Sequence, residues 1–82
     1  MKPSDLPAVF SRNLKAAREM RNMSQRALAD RLHMSFVSVN RWENGIMSPT
    51  LETIVKIAEA LDIPSEALLT EVGTEILLSA AS

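Results

Sequence analysis

The run Ser24-Gln25-Arg26-Ala27-Leu28-Ala29-Asp30-Arg31-Leu32-His33-Met34-Ser35-Phe36-Val37-Ser38-Val39-Asn40-Arg41-Trp42-Glu43-Asn44-Gly45 has two helix openings and a helix stop packed close together. Ser24 is a residue type that caps helix N-termini, because its short side-chain oxygen accepts from an otherwise unpaired backbone N–H. Gln25 to Leu32 then reads as a short helix with Leu28 and Leu32 on one face. Ser35 is a second N-cap. It opens a helix from Phe36 to Asn44, with Val39 and Trp42 at i and i+3 on its buried side and Gly45 as its stop. The two helices are joined by a turn too short for anything but a sharp change of direction.

The same helical period extends outward in both directions. Phe10, Leu14 and Ala17 recur at i, i+4 and i+7, which predicts a helix from Pro7 to Arg21 behind a short N-terminal arm, residues 1–7. Beyond Gly45, Ser48-Pro49-Thr50 opens a fourth helix in which Leu51, Ile54, Val55, Ala58 and Leu61 share a face. Asp62-Ile63 is a turn, and Pro64 to Leu69 reads as a short fifth helix. Val37, Val39, Ile54, Val55 and Ile57 do not alternate with polar residues at period two, so no strand is expected before residue 70. The extension 71–82 stays open between a helix and a short strand. Its adjacent Ile76-Leu77-Leu78 must pack on something, either the chain's own core or a partner.

Length and composition narrow the function. Eighty-two residues make one domain. The absence of cysteine removes disulfides, thiolate metal sites and thiol catalysis, and fits a cytoplasmic setting. No apolar run is long enough to span a membrane, and the first ten residues lack the apolar core of a secretory signal. No nucleophile–base pair, carboxylate dyad or phosphate loop is present, so the chain is not expected to be an enzyme or to need a cofactor or metal. The net charge of −1 hides an asymmetry. Up to Gly45 eight cations face four anions, while beyond it Lys56 stands against six anions. The half with the paired short helices is basic and suited to a polyanion, and the other half is acidic.

Two short helices joined by a tight turn inside an all-helical domain form a helix-turn-helix, whose second helix fits a DNA major groove about 12 Å wide. The specific residues go further. Leu14-Lys15-Ala16-Ala17-Arg18-Glu19, the S-Q-x-x-L-A pattern from Ser24, the Trp42-Glu43-Asn44-Gly45 run and Pro49-Thr50-Leu51-Glu52-Thr53-Ile54 resemble the Cro/C1-type helix-turn-helix family over Leu14 to Leu69. The resemblance implies an all-α, five-helix, lambda-repressor-like domain over 8–70. Gln25 to Leu32 would be the positioning helix and Ser35 to Asn44 the recognition helix. It further implies that Gln25, with Ser24 beside it at the helix start, and Asn44 contact phosphates. Ser35, Phe36, Val37, Asn40 and Arg41 would face the groove, and Arg18 and Glu43 would form a structural ion pair.

Side-chain chemistry agrees in part. Arg41 suits a bidentate contact with guanine and Asn40 one with adenine, while Phe36 and Val37 can only meet thymine methyls. Two choices stay open: Phe36 as core or groove residue, and Arg41 on a base or a phosphate. Arg12, Lys15, Arg26 and Arg31 read as solvated charges, and Met20, Met23, Met34 and Met47 as gap fillers. His33 stands where the family has glycine, at a position favouring a left-handed backbone.

The reading that follows is a transcriptional regulator, by default a repressor, acting as a homodimer on a palindromic operator of double-stranded DNA. Leu68, Leu69, Val72, Ile76, Leu77 and Leu78 are the expected dimer surface. The alternative is an antitoxin-like module that binds a partner protein such as a toxin and regulates itself through DNA. With only a dozen residues beyond the domain, no effector domain is expected.

Overall fold

The computed structural model describes residues 5–81. Six helices follow in chain order: α1 (Leu6–Met20), α2 (Gln25–Leu32), α3 (Phe36–Glu43), α4 (Leu51–Leu61), α5 (Glu66–Leu69) and α6 (Gly73–Ala81). The expected arm is shortened, since α1 begins at Leu6 with Pro7 in its first turn. Residues 1–4 of that arm, and Ser82, lie outside the described residues.

The helix starts are capped as the side chains dictate. Ser24 Oγ accepts from the Ala27 N–H at 2.9 Å, Ser35 Oγ from the Val37 N–H at 3.1 Å and Thr50 Oγ1 from the Thr53 N–H at 3.2 Å. The ends of α1 to α4 share one backbone device. Asn22, His33, Gly45 and Asp62 all have positive φ, from 53° to 71°. After each, the next N–H reaches back five residues: Met23 to Arg18 O, Met34 to Ala29 O, Ile46 to Arg41 O and Ile63 to Ala58 O, at 2.9–3.1 Å. These bonds satisfy carbonyls that the helix itself leaves unpaired. Three of the four corners therefore use a residue with a Cβ in a region that only glycine enters freely.

The core forms where the helices cross. Phe10, Leu14 and Ala17 of α1 meet Leu28 and Ala29 of α2, Val39 and Trp42 of α3, Ile57, Ala58 and Leu61 of α4, and Ala67 and Leu68 of α5. The face of α4 differs from the expected one. Ile54, Ile57, Ala58 and Leu61 are buried, whereas Leu51 is 79% exposed and Val55 also lies open. Apolar residues at 51, 54, 55, 57, 58 and 61 wrap more than half of this helix. Two stripes then satisfy the helical period, and packing selects the one centred on Ile57. Of the four methionines read as gap fillers, Met23 packs against the core, while Met20, Met34 and Met47 are exposed.

The open question at 71–82 resolves as helix. α6 returns along α1 and α5 and inserts Leu77, which is 2% exposed, into the core. Its seat is specific. Asn13, fully buried on α1, donates from Nδ2 to the Thr70 carbonyl at 2.8 Å. Gly73 begins α6 directly against this contact, where a Cβ would collide with the Ala67 carbonyl oxygen and the Asn13 amide. The helix can approach so closely only because position 73 has no side chain.

Candidate nucleic-acid interface

The site is built on α2 and α3, which are set against each other by the three residues from His33 to Ser35. His33 has φ 55° and ψ 41°, the left-handed conformation its position calls for. α3 buries Val39 and Trp42 and turns Phe36, Val37 and Arg41 outward. Ser35, at its cap, is exposed as well.

Underneath runs a connected set of polar contacts. Arg18 on α1 donates from Nε to Glu43 Oε2 at 2.7 Å and from Nη2 to Glu43 Oε1 at 3.0 Å. Its Nη1 donates to the Met23 carbonyl at 2.7 Å. The pair lies largely out of solvent, with the Glu43 side chain 3% and that of Arg18 12% exposed. Hydrogen bonding to Glu43, together with its charge and that of Glu19, holds the guanidinium above its ordinary pKa against the opposing effect of burial. Gln25 Nε2 donates to the same Glu43 Oε1 at 3.2 Å. Asn40 Nδ2 donates to Gln25 Oε1 at 3.2 Å, and Asn44 Nδ2 donates to Asn40 Oδ1 at 3.0 Å. One chain of contacts thus runs from the first helix through the start of α2 to both ends of the last turn of α3.

The structure brings together Gln25, Asn40, Asn44, Arg18 and Glu43 in this set, and it leaves Ser35, Phe36, Val37 and Arg41 on the outer side of α3. Phe36 is 38% exposed, and the Arg26 guanidinium lies over its ring, 4.5 Å from the centroid. Arg26 is therefore not the plain solvated charge expected, and the contact combines cation–π attraction with apolar cover. Arg31 is another correction. Its Nη1 donates to the Ala60 carbonyl at 3.0 Å. Arg21 does the same from the C-terminal cap of α1, with Nε to the Leu61 carbonyl and Nη2 to the Asp62 carbonyl, both at 2.8 Å. Two cations thus close the carbonyl end of α4, where the helix dipole is negative. The sequence hides this role, because nothing local connects residues 21 and 31 with the end of a helix 30 to 40 positions later.

The residues expected at a dimer surface separate. Leu68 and Leu77 are buried in the chain's own core, and Leu69 and Ile76 pack against it. Apolar side chains fill the nearest core first, and a helix at 73–81 gives these four residues one within the same chain. Val72, 49% exposed, and Leu78, 61% exposed, remain on the surface.

Among the described residues no group of three or more His, Asp or Glu side chains is placed to hold a metal ion, and no helix is long and apolar enough to cross a membrane. Residues 14–68 match the helix-turn-helix family. The chain is 40% identical over 65 residues to the HTH-type transcriptional repressor RghR of Bacillus subtilis, covering 78% of this chain and 48% of that protein. It is 31% identical over 61 residues to an HTH-type transcriptional regulator of the same organism, YqaE, covering 74% and 53%. It is 40% identical over 47 residues to the cryptic phage CTXphi transcriptional repressor RstR of Vibrio cholerae, covering 57% and 42%. The chain spans between 28% and about half of the length of the curated relatives it matches. With the family match across most of its length, and with the paired helices and their ion pair in place, the chain belongs to the Cro/C1-type helix-turn-helix family.

Proposed function

We propose that this chain is a sequence-specific DNA-binding transcriptional regulator, a repressor that acts as a homodimer on a palindromic operator. The observation that carries the reading is the outer side of α3. There Phe36, Val37 and Arg41 stand exposed on a helix whose other side is anchored by Val39, Trp42 and the Arg18–Glu43 pair. Arg41 is the side chain with the chemistry to take a guanine edge with two parallel N–H donors, and Phe36 and Val37 present apolar surface to thymine methyls. Ser24 and Ser35 each accept a capping bond through Oγ, which leaves the hydroxyl proton to donate to a phosphate. The relatives named as repressors support the direction of control.

A single recognition helix reads too few base pairs to find one site in a genome, so two copies must act together. Val72 and Leu78 are the residues of α6 and its approach that a second copy can cover. Selection of bound duplexes from a random pool tests the whole reading. The expected product is a palindrome with half-sites about one helical turn, roughly 34 Å, apart. Arg41→Ala should lose about 1–3 kcal/mol on that consensus and relax one base position per half-site. A pool that shows no enrichment would overturn the assignment, and an equal loss on all duplexes would move Arg41 to a phosphate.

A further inference from the structure

Asn40 sits on α3 beside Arg41 and has the right side chain to read adenine, yet its hydrogen bonds point elsewhere. A bidentate adenine contact needs the Oδ1 and the Nδ2 of one amide on the same base edge. In this chain the two atoms serve different neighbours: Nδ2 donates to Gln25 Oε1 at 3.2 Å, and Oδ1 accepts from Asn44 Nδ2 at 3.0 Å. Turning Asn40 toward a base breaks both bonds.

The set also has a fixed direction. Glu43 as a carboxylate only accepts, so Gln25 must present Nε2 to it. Gln25 then has Oε1 on its other side, which demands a donor, and Asn40 supplies Nδ2. Asn40 is left with Oδ1, which demands a donor in turn, and Asn44 supplies it. A single carboxylate thereby orients three amides in sequence. Each amide nitrogen carries two hydrogens, and in Gln25 and Asn44 the relay uses one of them. The second N–H of each is left as a donor, at the start of α2 and at the exposed end of α3.

We infer that Asn40 is a positioning residue, not a base reader: it holds the Gln25 and Asn44 amides with their remaining N–H donors ready for the DNA backbone. This rests on the DNA-reading assignment above. Gln25 and Asn44 are neutral, so their contacts add affinity without releasing counterions and are independent of base sequence.

The test compares the wild-type chain with Asn40→Ala, a change that favours the helical backbone and so preserves folding. In the free protein, the side-chain amide proton signals of Gln25 and Asn44 should shift on substitution, as measured by NMR. On DNA, affinity should fall about three- to tenfold, and by the same factor on the selected consensus and on a random duplex. The base preferences at every position and the slope of affinity against salt should stay as in the wild type. The double variant Gln25→Ala/Asn40→Ala should bind little worse than either single variant, because the two act as one unit. Relaxed preference at one base position per half-site would overturn the inference and return Asn40 to base reading. Unmoved Gln25 and Asn44 signals would overturn the relay itself. A wild-type chain that selects no duplex would instead bring down the functional assignment, while the amide signals would still report on the relay.

Discussion

The polar groups that join α2 and α3 to α1 are oriented by hydrogen bonds between side chains, from Arg18 through Glu43 and Gln25 to Asn40 and Asn44, whereas α6 is seated on α1 mainly by close packing, with Leu77 in the core and no side chain at Gly73 above buried Asn13, whose amide bonds the Thr70 carbonyl. The first arrangement fixes where polar groups point on a partly wet surface. The second fixes how closely two backbones approach. Charge and amide contacts specify orientation, because each donor needs its own acceptor. Close packing specifies distance, because a clash is steep and an apolar contact has no direction. A surface that must present donors to a ligand needs the first kind, and a helix that only has to complete a core needs the second.

The largest effect should come from breaking the oriented side. Glu43→Ala leaves the Arg18 guanidinium without its carboxylate, and with only the Met23 carbonyl as acceptor, at a site mostly closed to water, and should destabilise the fold by about 3–5 kcal/mol. Chemical denaturation measures this. A loss below about 1 kcal/mol would mean that water replaces the carboxylate and that the pair behaves like a surface one.

Breaking the close-packed side should have a smaller and more local effect. Gly73→Ala forces α6 away from the Ala67 carbonyl and withdraws Leu77 from the core, at about 1–3 kcal/mol. Amide hydrogen exchange should speed up in α6 while α2 and α3 stay protected. Uniform acceleration along the chain would instead place α6 in the same cooperative unit as the recognition helices.

How far these two sides could be read from the chain differs in the same way. Ser24, Gln25, Trp42, Glu43 and Gly45 are close in sequence and carry a recognisable pattern, so α2, α3 and the side chains around them are legible from the sequence alone. The same holds for Leu14 and Ala17, whose spacing gives α1. Asn13 and Gly73 are not legible. Each looks ordinary alone, and their meaning lies in a contact across some sixty positions. The face expected for α4, with Leu51 and Val55 on it, differs from the buried one for a different reason: an apolar surface wider than one stripe allows two buried faces, and the choice belongs to the neighbours. Asn40 shows the limit within the site. Its residue type suits a base, and only the bonds to Gln25 and Asn44 reveal another use.

The smallest expected effect sharpens the comparison at the turn linking α2 and α3. His33→Gly relieves a left-handed backbone at a residue with a Cβ, against the greater freedom glycine adds to the unfolded chain. The net gain should be about 0.5 kcal/mol, seen as a rise in melting temperature of roughly 2–4 °C. A fall would mean that the imidazole makes a contact that outweighs the strain.

The corners at His33 and Gly45 bound the recognition helix on both sides, and each is closed by bonds from backbone to backbone. Two of the outward side chains between them, Val37 and Arg41, take no part in those bonds or in the core. The surface offered to DNA and the scaffold are thus written in separate groups, outward side chains on one hand and backbone and core on the other. On the proposed reading, exchanging outward side chains should redirect the helix to another operator while the corners and core keep it in place, so that such a chain could diverge in target without first drifting in fold.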